Sequence, residues 1–243
     1  KVYPDGYWYK NLVYAHEEER ELDYQEDLFS PCQFHTEFAL GEQAALVFSD
    51  RPIQHIELDK WVKQECAARE KTMENFPVKG TFAKRCALAA DQFFIRVNGE
   101  SRIIRGYPWF DDAVREALMS LPGIGIAAGR LEESKSMLLA SAALIQNGLL
   151  PKRFSSSDPR EYDSADSSFW FIWAAQKYWE ATKDIEFLKQ IKPHVEKIVT
   201  AFQNGIKETD PKSQLEIRMD TDGLIWAASN RCGLTWMNSK AGD

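Results

Sequence analysis

The 243 residues carry 30 Lys and Arg against 37 Asp and Glu, a net charge of −7, with 44% hydrophobic and 12% aromatic side chains. A chain of this size and composition buries a sizeable core and is not disordered, and its acidity argues against nucleic acid or an anionic membrane surface as a partner. No apolar run approaches the roughly 18 residues that span a bilayer, and the N-terminus has no basic-then-apolar signal pattern.

Residues 1–57 read as strands. Asp5-Gly6 is a turn signal before the aromatic run Tyr7, Trp8, Tyr9, and the runs Phe34 to Leu40 and Ala44 to Phe48 are bounded by Gly and Pro. The acidic stretch from His16 to Leu28 reads as a solvated loop, because Asp and Glu are mostly exposed. From Leu58 the period changes: Leu58, Trp61, Val62, Cys66, Arg69, Met73 and Phe76 fall at three- and four-residue spacing, predicting an amphipathic helix that links two domains over residues 58–80. A helix from Thr81 to about Ala90 follows. Phe93, Ile95 and Val97 then alternate before Asn98-Gly99, a hairpin signal returning through Arg102 to Ile104.

The hairpin leads into Gly106 to Gly123, GYPWFDDAVREALMSLPG. Gly106 and Pro108 put Trp109 and Phe110 on a turn before a helix starting near Asp111 and ending at Pro122-Gly123. Asp111 and Asp112 would sit in its first turn at the positive end of the helix dipole, with Arg115 at i+3 from Asp112 on the same face. Those residues fit a helix cap with a surface ion pair and a core aromatic, and equally the mouth of a pocket. Leu131 to Gln146 is a further helix, with Asn147-Gly148 as its C-cap signal. Ser164 is the candidate N-cap of a helix from Ala165 to Ala181 that is apolar around most of its circumference and so covered on most sides. Thr182 to Asp184 turns the chain, a short helix follows, and Pro193 starts another, striped with Val195, Ile198, Val199, Phe202 and Ile206. Some helices buried all round and others striped on one face suggest an inner and an outer layer.

Cys32, Cys66, Cys86 and Cys232 have no CxxC spacing and His16, His35, His55 and His194 form no HExxH, so buried free thiols in a reducing cytoplasm are expected, with no metal and no cofactor. Three constellations of aromatic and ionisable residues stand in loops or at helix starts: Trp109, Asp112 and Arg115; Arg153 with Asp166 and Trp170; and the terminal run Leu234-TWMNSKAGD. Sugars need flat apolar platforms beside fixed polar groups. Glycoside hydrolysis further needs a general acid and, for inversion, a second carboxylate activating water from the opposite face.

These motifs resemble those of the glycogen debranching enzymes of the amylo-α-1,6-glucosidase type. The Gly106 run is similar to G-Y-P/H-W-F-x-D-W-G-R-D-x-M-I-S-L-P-G, with Ala113, Val114 and Glu116 where the family has Trp, Gly and Asp. Gly148-LLPKRF resembles G-L-I-P-N-R-F, Glu161-YDSADSSFWF resembles E-Y-N-T-V-D-A-T-L-W-F, and Leu234-TWMNSKAGD resembles L-T-W-M-D-A-K-V-G-D. The resemblance implies a mainly α fold with a β-rich N-terminal part: the end of a β-sandwich domain at 1–57 and the first part of an (α/α)6 barrel at 81–243, too few helices to close the ring. The missing initiator Met fits a fragment. It also implies hydrolysis of α-1,6-linked glucose on a branched α-glucan or maltooligosaccharide, with Trp109, Phe110, Asp112, Arg115, Arg153, Asp166, Trp170, Trp236 and Lys240 binding substrate. Asn238 takes the place of the family's general acid, and an amide has no titratable proton for that role. The family's general base, a Glu later in the barrel, lies beyond Asp243. The same barrel as a catalytically impaired glucan-binding homologue, or another (α/α)6 glycosidase of trehalase or glucoamylase type, is the alternative.

Overall fold

The computed structural model describes residues 1–42, 44–53, 55–106, 110–154, 161–207, 215–229 and 233–237. The chain divides into two compact units, Lys1–Val62 and Lys63–Asp243. Its fold is mainly helical with small antiparallel sheets.

The first unit holds one ribbon, β1 (Val2–Val13) paired antiparallel with β2 (Gln25–Phe34), around a single helical turn α1 (Ala15–Glu18). Asp5-Gly6 is not the expected turn: it lies inside β1, where the register shifts between Pro4 and Tyr7. The one extra residue is absorbed as a bulge, so the strand continues through the glycine. Among the described residues of this unit no strand forms after Phe34, against the expectation for the Phe34–Leu40 and Ala44–Phe48 runs; β propensity without a neighbouring strand does not hold an extended segment in a sheet. The acidic stretch His16 to Leu28 is largely exposed, as the composition indicates, but it is not a loop throughout: His16–Glu18 belong to α1 and Gln25–Leu28 to β2, whose pairing with β1 holds them extended.

α2 (Leu58–Asn75) buries none of its residues, and α3 (Thr81–Asp91) buries Ala83, Ala87 and Ala90. Cys66 and Cys86 are therefore exposed thiols rather than the buried ones expected, Cys66 on a helix with no buried face and Cys86 off the Ala83, Ala87 and Ala90 face of α3. β3 (Phe94–Val97) and β4 (Glu100–Ile103) form the predicted hairpin, with Val97 opposite Glu100. Asn98 and Gly99 both take positive φ, 53° and 87°, which a two-residue type I′ turn requires.

The core of the second unit is built on α4 (Val114–Ser120), α5 (Leu131–Ala143), α6 (Ser167–Thr182) and α7 (Ile185–Asn204). Leu118, Leu121, Leu138, Phe171, Phe187 and Ile198 have no exposed surface. α6 packs against α4, α5, α7 and the segment after α4, which is why its sequence is apolar on most sides. Phe169 and Trp173 mark its remaining open edge. Pro122-Gly123 does not end the helix begun by α4. The chain widens into a π turn over Leu121–Ala127, because Pro122 has no N–H for the preceding turn and the larger i→i+5 ring passes over the missing donor.

Pro193 likewise sits inside α7 rather than at its start. The carbonyl of Lys189 that loses its donor belongs to an exposed residue, on the side of the helix open to solvent. The buried stripe of α7 is Phe187, Ile191, Ile198 and Phe202. Beyond it, β5 (Ile206–Lys207), β6 (Glu216–Met219) and β7 (Ile225–Ala228) make a small antiparallel sheet in the order β5-β6-β7.

The turn between α6 and α7 carries a pH-sensitive contact. Lys183 takes the left-handed conformation that stops α6, and Asp184 caps α7 by accepting the Phe187 N–H at 2.9 Å. Lys135 of α5 reaches Asp184 at 2.7 Å. The Lys135 hydrogen bond and then the Phe187 N–H hold the Asp184 carboxyl below its ordinary value, and Asp184 in turn raises Lys135. A depressed carboxyl contributes stability that is present above about pH 4, the unfolded value, and is lost as pH falls through the lower folded one. A raised lysine contributes stability present below about pH 10.4 and lost as pH rises through its higher folded value. Asp184→Asn is thus expected to melt below the wild-type chain at pH 7, with the gap closing as pH falls beneath about 4. Melting temperatures measured from pH 3 to 9 test this, and a gap independent of pH would refute it.

Candidate functional site

The second unit contains a polar cleft of about 170 Å³ lined by Arg105, Ala113, Arg115, Glu116, Lys152, Arg153, Ser164 and Ser167. Its walls come from three stretches far apart in sequence. The entrance to α4 pairs with the 152–154 segment: Val114 N–H donates to Lys152 O at 2.9 Å, Phe154 N–H donates to Asp112 O at 3.3 Å, and Ala113 and Arg153 form an antiparallel bridge. The helix begins at Val114 with Ala113 as N-cap, three residues later than Asp111, because residues 112–114 are engaged in this pairing. The third wall is the entrance to α6, where the N-cap is Asp166 and not Ser164.

The expected pairing of Asp112 with Arg115 is replaced by two separate ones. Asp112 is 4% exposed and bonds Arg102 of β4 at 2.8 Å, with the Arg102 guanidinium over the Phe154 ring at 5.1 Å. It braces the hairpin against the 154 segment, outside the cleft lining. Arg115 crosses the cleft to α6, its Nε donating to Asp166 Oδ1 at 2.9 Å and its Nη2 to Ser164 Oγ at 2.7 Å. An i+3 spacing allows a helical pair, but Asp112 precedes the helix and is drawn to the hairpin first.

Asp166 collects the contacts. Its Oδ1 also accepts from Ser164 Oγ at 3.0 Å, and its Oδ2 accepts the backbone N–H of Trp236 at 2.8 Å. The Ala165 N–H adds a bond to Leu234 O at 2.8 Å. Ser164 Oγ and Ser167 Oγ are 2.5 Å apart. With Ser164 donating to Asp166, it accepts from Arg115 and Ser167, so the network is closed. Asp166 and Arg115 are both largely buried, with side chains 16% and 18% exposed.

At the rim, Asp111 is shared by Arg105 at 2.7 Å and Arg153 at 2.8 Å. Lys152 pairs with Asp163 at 2.6 Å and Glu161 at 3.2 Å. Phe110 is exposed, with the Arg105 guanidinium 5.5 Å from its ring centre. Glu116 differs from all of these: among the described residues its carboxylate has no hydrogen-bond or ion-pair partner. It lies between the polar cleft and a second, mostly apolar hollow of about 210 Å³ with Phe93, Ile104 and Ile124 in its walls.

Of the residues singled out in the sequence, Arg115 and Arg153 line the cleft directly. Asp166 and the backbone of Trp236 join them through the network, while Trp236 as a whole is 62% exposed. Trp170 packs on the core with its ring against Trp173, 5.5 Å between centres. Trp109, Asn238 and Lys240 lie outside the described residues. Arg105, Lys152 and Ser167 were not singled out; the hairpin that ends just before Arg105 was the one signal pointing to it. No group of three or more metal-ligating side chains occurs among the described residues.

Residues 88–243, which contain every one of these contacts, match the family described as Amylo-alpha-1,6-glucosidase. The chain belongs to that family. Residues 1–45 match the N-terminal part of glycogen debranching enzymes. The glycogen debranching enzyme of Saccharomyces cerevisiae (strain ATCC 204508 / S288c) is 30% identical over 76 residues, an alignment covering 31% of this chain and 5% of the yeast protein. The amylo-α-1,6-glucosidase family thus ties the chain to glycogen debranching and glycoside-hydrolase chemistry at family level.

Proposed function

We propose that the chain forms part of the glucose pocket of a debranching-type glycoside hydrolase, on the first part of an (α/α)6 barrel preceded by the end of a β-sandwich, acting with inversion on the α-1,6-linked glucose of a branched α-glucan. The observation that carries this reading is the meeting of three family-like segments at one carboxylate, Asp166, beside a cleft with an uncommitted acid, Glu116. Paired charges hold the cleft walls, and the free carboxylate is what remains to accept sugar hydroxyls. Trp109, Phe110 and Trp236 would supply the flat surfaces, and Lys240 a further polar contact. Within this proposal the setting is the cytoplasm, where the described cysteines Cys32, Cys66 and Cys86 stay as free thiols.

Asn238 favours a second reading, a barrel retained for binding glucan without turnover, because the amide at the acid's position has no proton to give. Calorimetric titration with a maltooligosaccharide bearing a 6-O-α-glucosyl branch tests both. Binding that weakens about 10-fold in Glu116→Ala, the loss of charged hydrogen bonds worth about 1.5 kcal/mol, supports the pocket. No binding by either protein removes the debranching reading. In a full-length protein that includes the later general base, glucose release gained on Asn238→Asp would favour the hydrolase, and binding without such a gain the glucan-binding homologue.

A further inference from the structure

We infer that Asp166 is a positioning residue, which ties the Leu234–Met237 segment to Arg115 and so fixes the direction of the backbone at Trp236. Its meaning for chemistry at position 238 rests on the debranching reading, but the contact itself does not. Both oxygens of the Asp166 carboxylate are committed inside the protein: Oδ1 to Arg115 and Ser164, Oδ2 to the Trp236 N–H. At 16% exposure little of it is left to meet a ligand. The carboxylate also gives nothing to its own helix. Asp166 is the N-cap residue of α6, the position at which an Asp side chain usually accepts from the first turn, yet it makes no such bond. The side chain instead turns outward to a guanidinium 51 residues earlier and a backbone N–H 70 residues later.

A carboxylate between a fixed cation and a backbone donor anchors the donor's segment, since a bond to a charged acceptor is about twice as strong as a neutral one. Arg115 is set by α4, whose Val114, Ala117 and Leu118 are buried in the core. Orientation therefore runs from the core, through Arg115 and Asp166, to the backbone of Trp236. The neighbouring bond from Ala165 N–H to Leu234 O holds the same segment at a second point two residues away. Together they fix both the position and the direction of the strand of chain leading to Asn238.

Amide hydrogen exchange of the chain, resolved at Trp236 by NMR, tests the role. Asp166→Ala is expected to speed exchange at Trp236 about 10-fold or more beyond the uniform acceleration that the lost Arg115 pair gives the amides of α6, because the side chain bonds the Trp236 N–H and does not cap that helix. Asp166→Asn keeps one acceptor oxygen and is expected to give an intermediate rate. Equal rates at Trp236 in all three proteins would overturn the inference, as would an acceleration at Trp236 no larger than that through α6, which would mark a purely structural residue. The exchange result stands without any ligand. A chain that binds no branched glucan yet shows the Trp236 effect would lose the debranching reading and keep the positioning role.

Discussion

Gly148→Ala is expected to lower the unfolding free energy by about 2–4 kcal/mol. Two separate effects add. Gly148 has φ +79°, a conformation that puts an L-residue's Cβ against its own backbone. A Cβ built there would also overlap the Cβ of Ala201 on α7, with the backbone of Ile198 just behind it. The turn has little room to retreat. Gln146 and Leu149 exchange two backbone hydrogen bonds across it, and the Gly148 carbonyl accepts from buried Ser168 Oγ at 2.7 Å. Gly148→Asn separates the two effects, because Asn tolerates positive φ but brings the same Cβ. Urea unfolding followed by far-UV ellipticity reads the helical unit. Similar losses in both variants mark the close approach as dominant, and a change below about 0.5 kcal/mol, the size of an ordinary surface effect, would mean that the turn does not lie on α7 as described. The consequence reaches the cleft, since Leu149 and Leu150 lead from this turn to Lys152 and Arg153.

That same dipeptide shows what the sequence discloses and where it stops. Asn98-Gly99 was legible as a hairpin turn because alternating residues flank it and the partner strand is only two residues away. Asn147-Gly148 carries identical turn chemistry, yet after a helical pattern it reads as a C-cap. The structure closes it as a tight turn between Gln146 and Leu149, after α5 has already ended at Ala143. Local signals name a turn; the packing of the chain on either side decides its type. The two prolines mislead for a related reason. Pro122 and Pro193 each break one hydrogen bond, but the apolar faces of the helices around them continue into the core, and burial outweighs one lost bond.

The site was legible as a set of motifs but not as a network. The resemblance put Arg115, Asp166 and Trp236 in one site, and the contacts between them span 51 and 70 residues, which no period reveals. Spacing suggested Asp112 for Arg115 because both lie within one turn. The competing partner, Arg102, comes from a hairpin whose register is itself legible, but its packing against the entrance of α4 is tertiary. Glu116 stood out in the sequence as a departure from the family's Asp. In the structure it stands out for a different reason, as the cleft charge that no described residue neutralises.

Arg115→Ala is expected to reduce stability by about 2–3 kcal/mol, just below the range for breaking a fully buried ion pair because both side chains keep some contact with water. The loss comes mainly from what remains. Asp166 stays largely buried and charged with only Ser164 Oγ and the Trp236 N–H to solvate it, and Ser164 loses a donor. Lysine at 115 should not restore it, because one ammonium at the end of a flexible stem does not reproduce a planar fork that bonds a carboxylate and a hydroxyl at once. If the pair works as a unit, Asp166→Asn in the Arg115→Ala background should cost much less than in the wild-type chain, giving a coupling energy of at least about 1 kcal/mol in a double-mutant cycle. Additive losses would show that Arg115 and Asp166 act independently. The cleft would then be three adjacent loops rather than one connected wall, and the 234–237 segment would be held by Asp166 and the Ala165–Leu234 bond without orientation from Arg115.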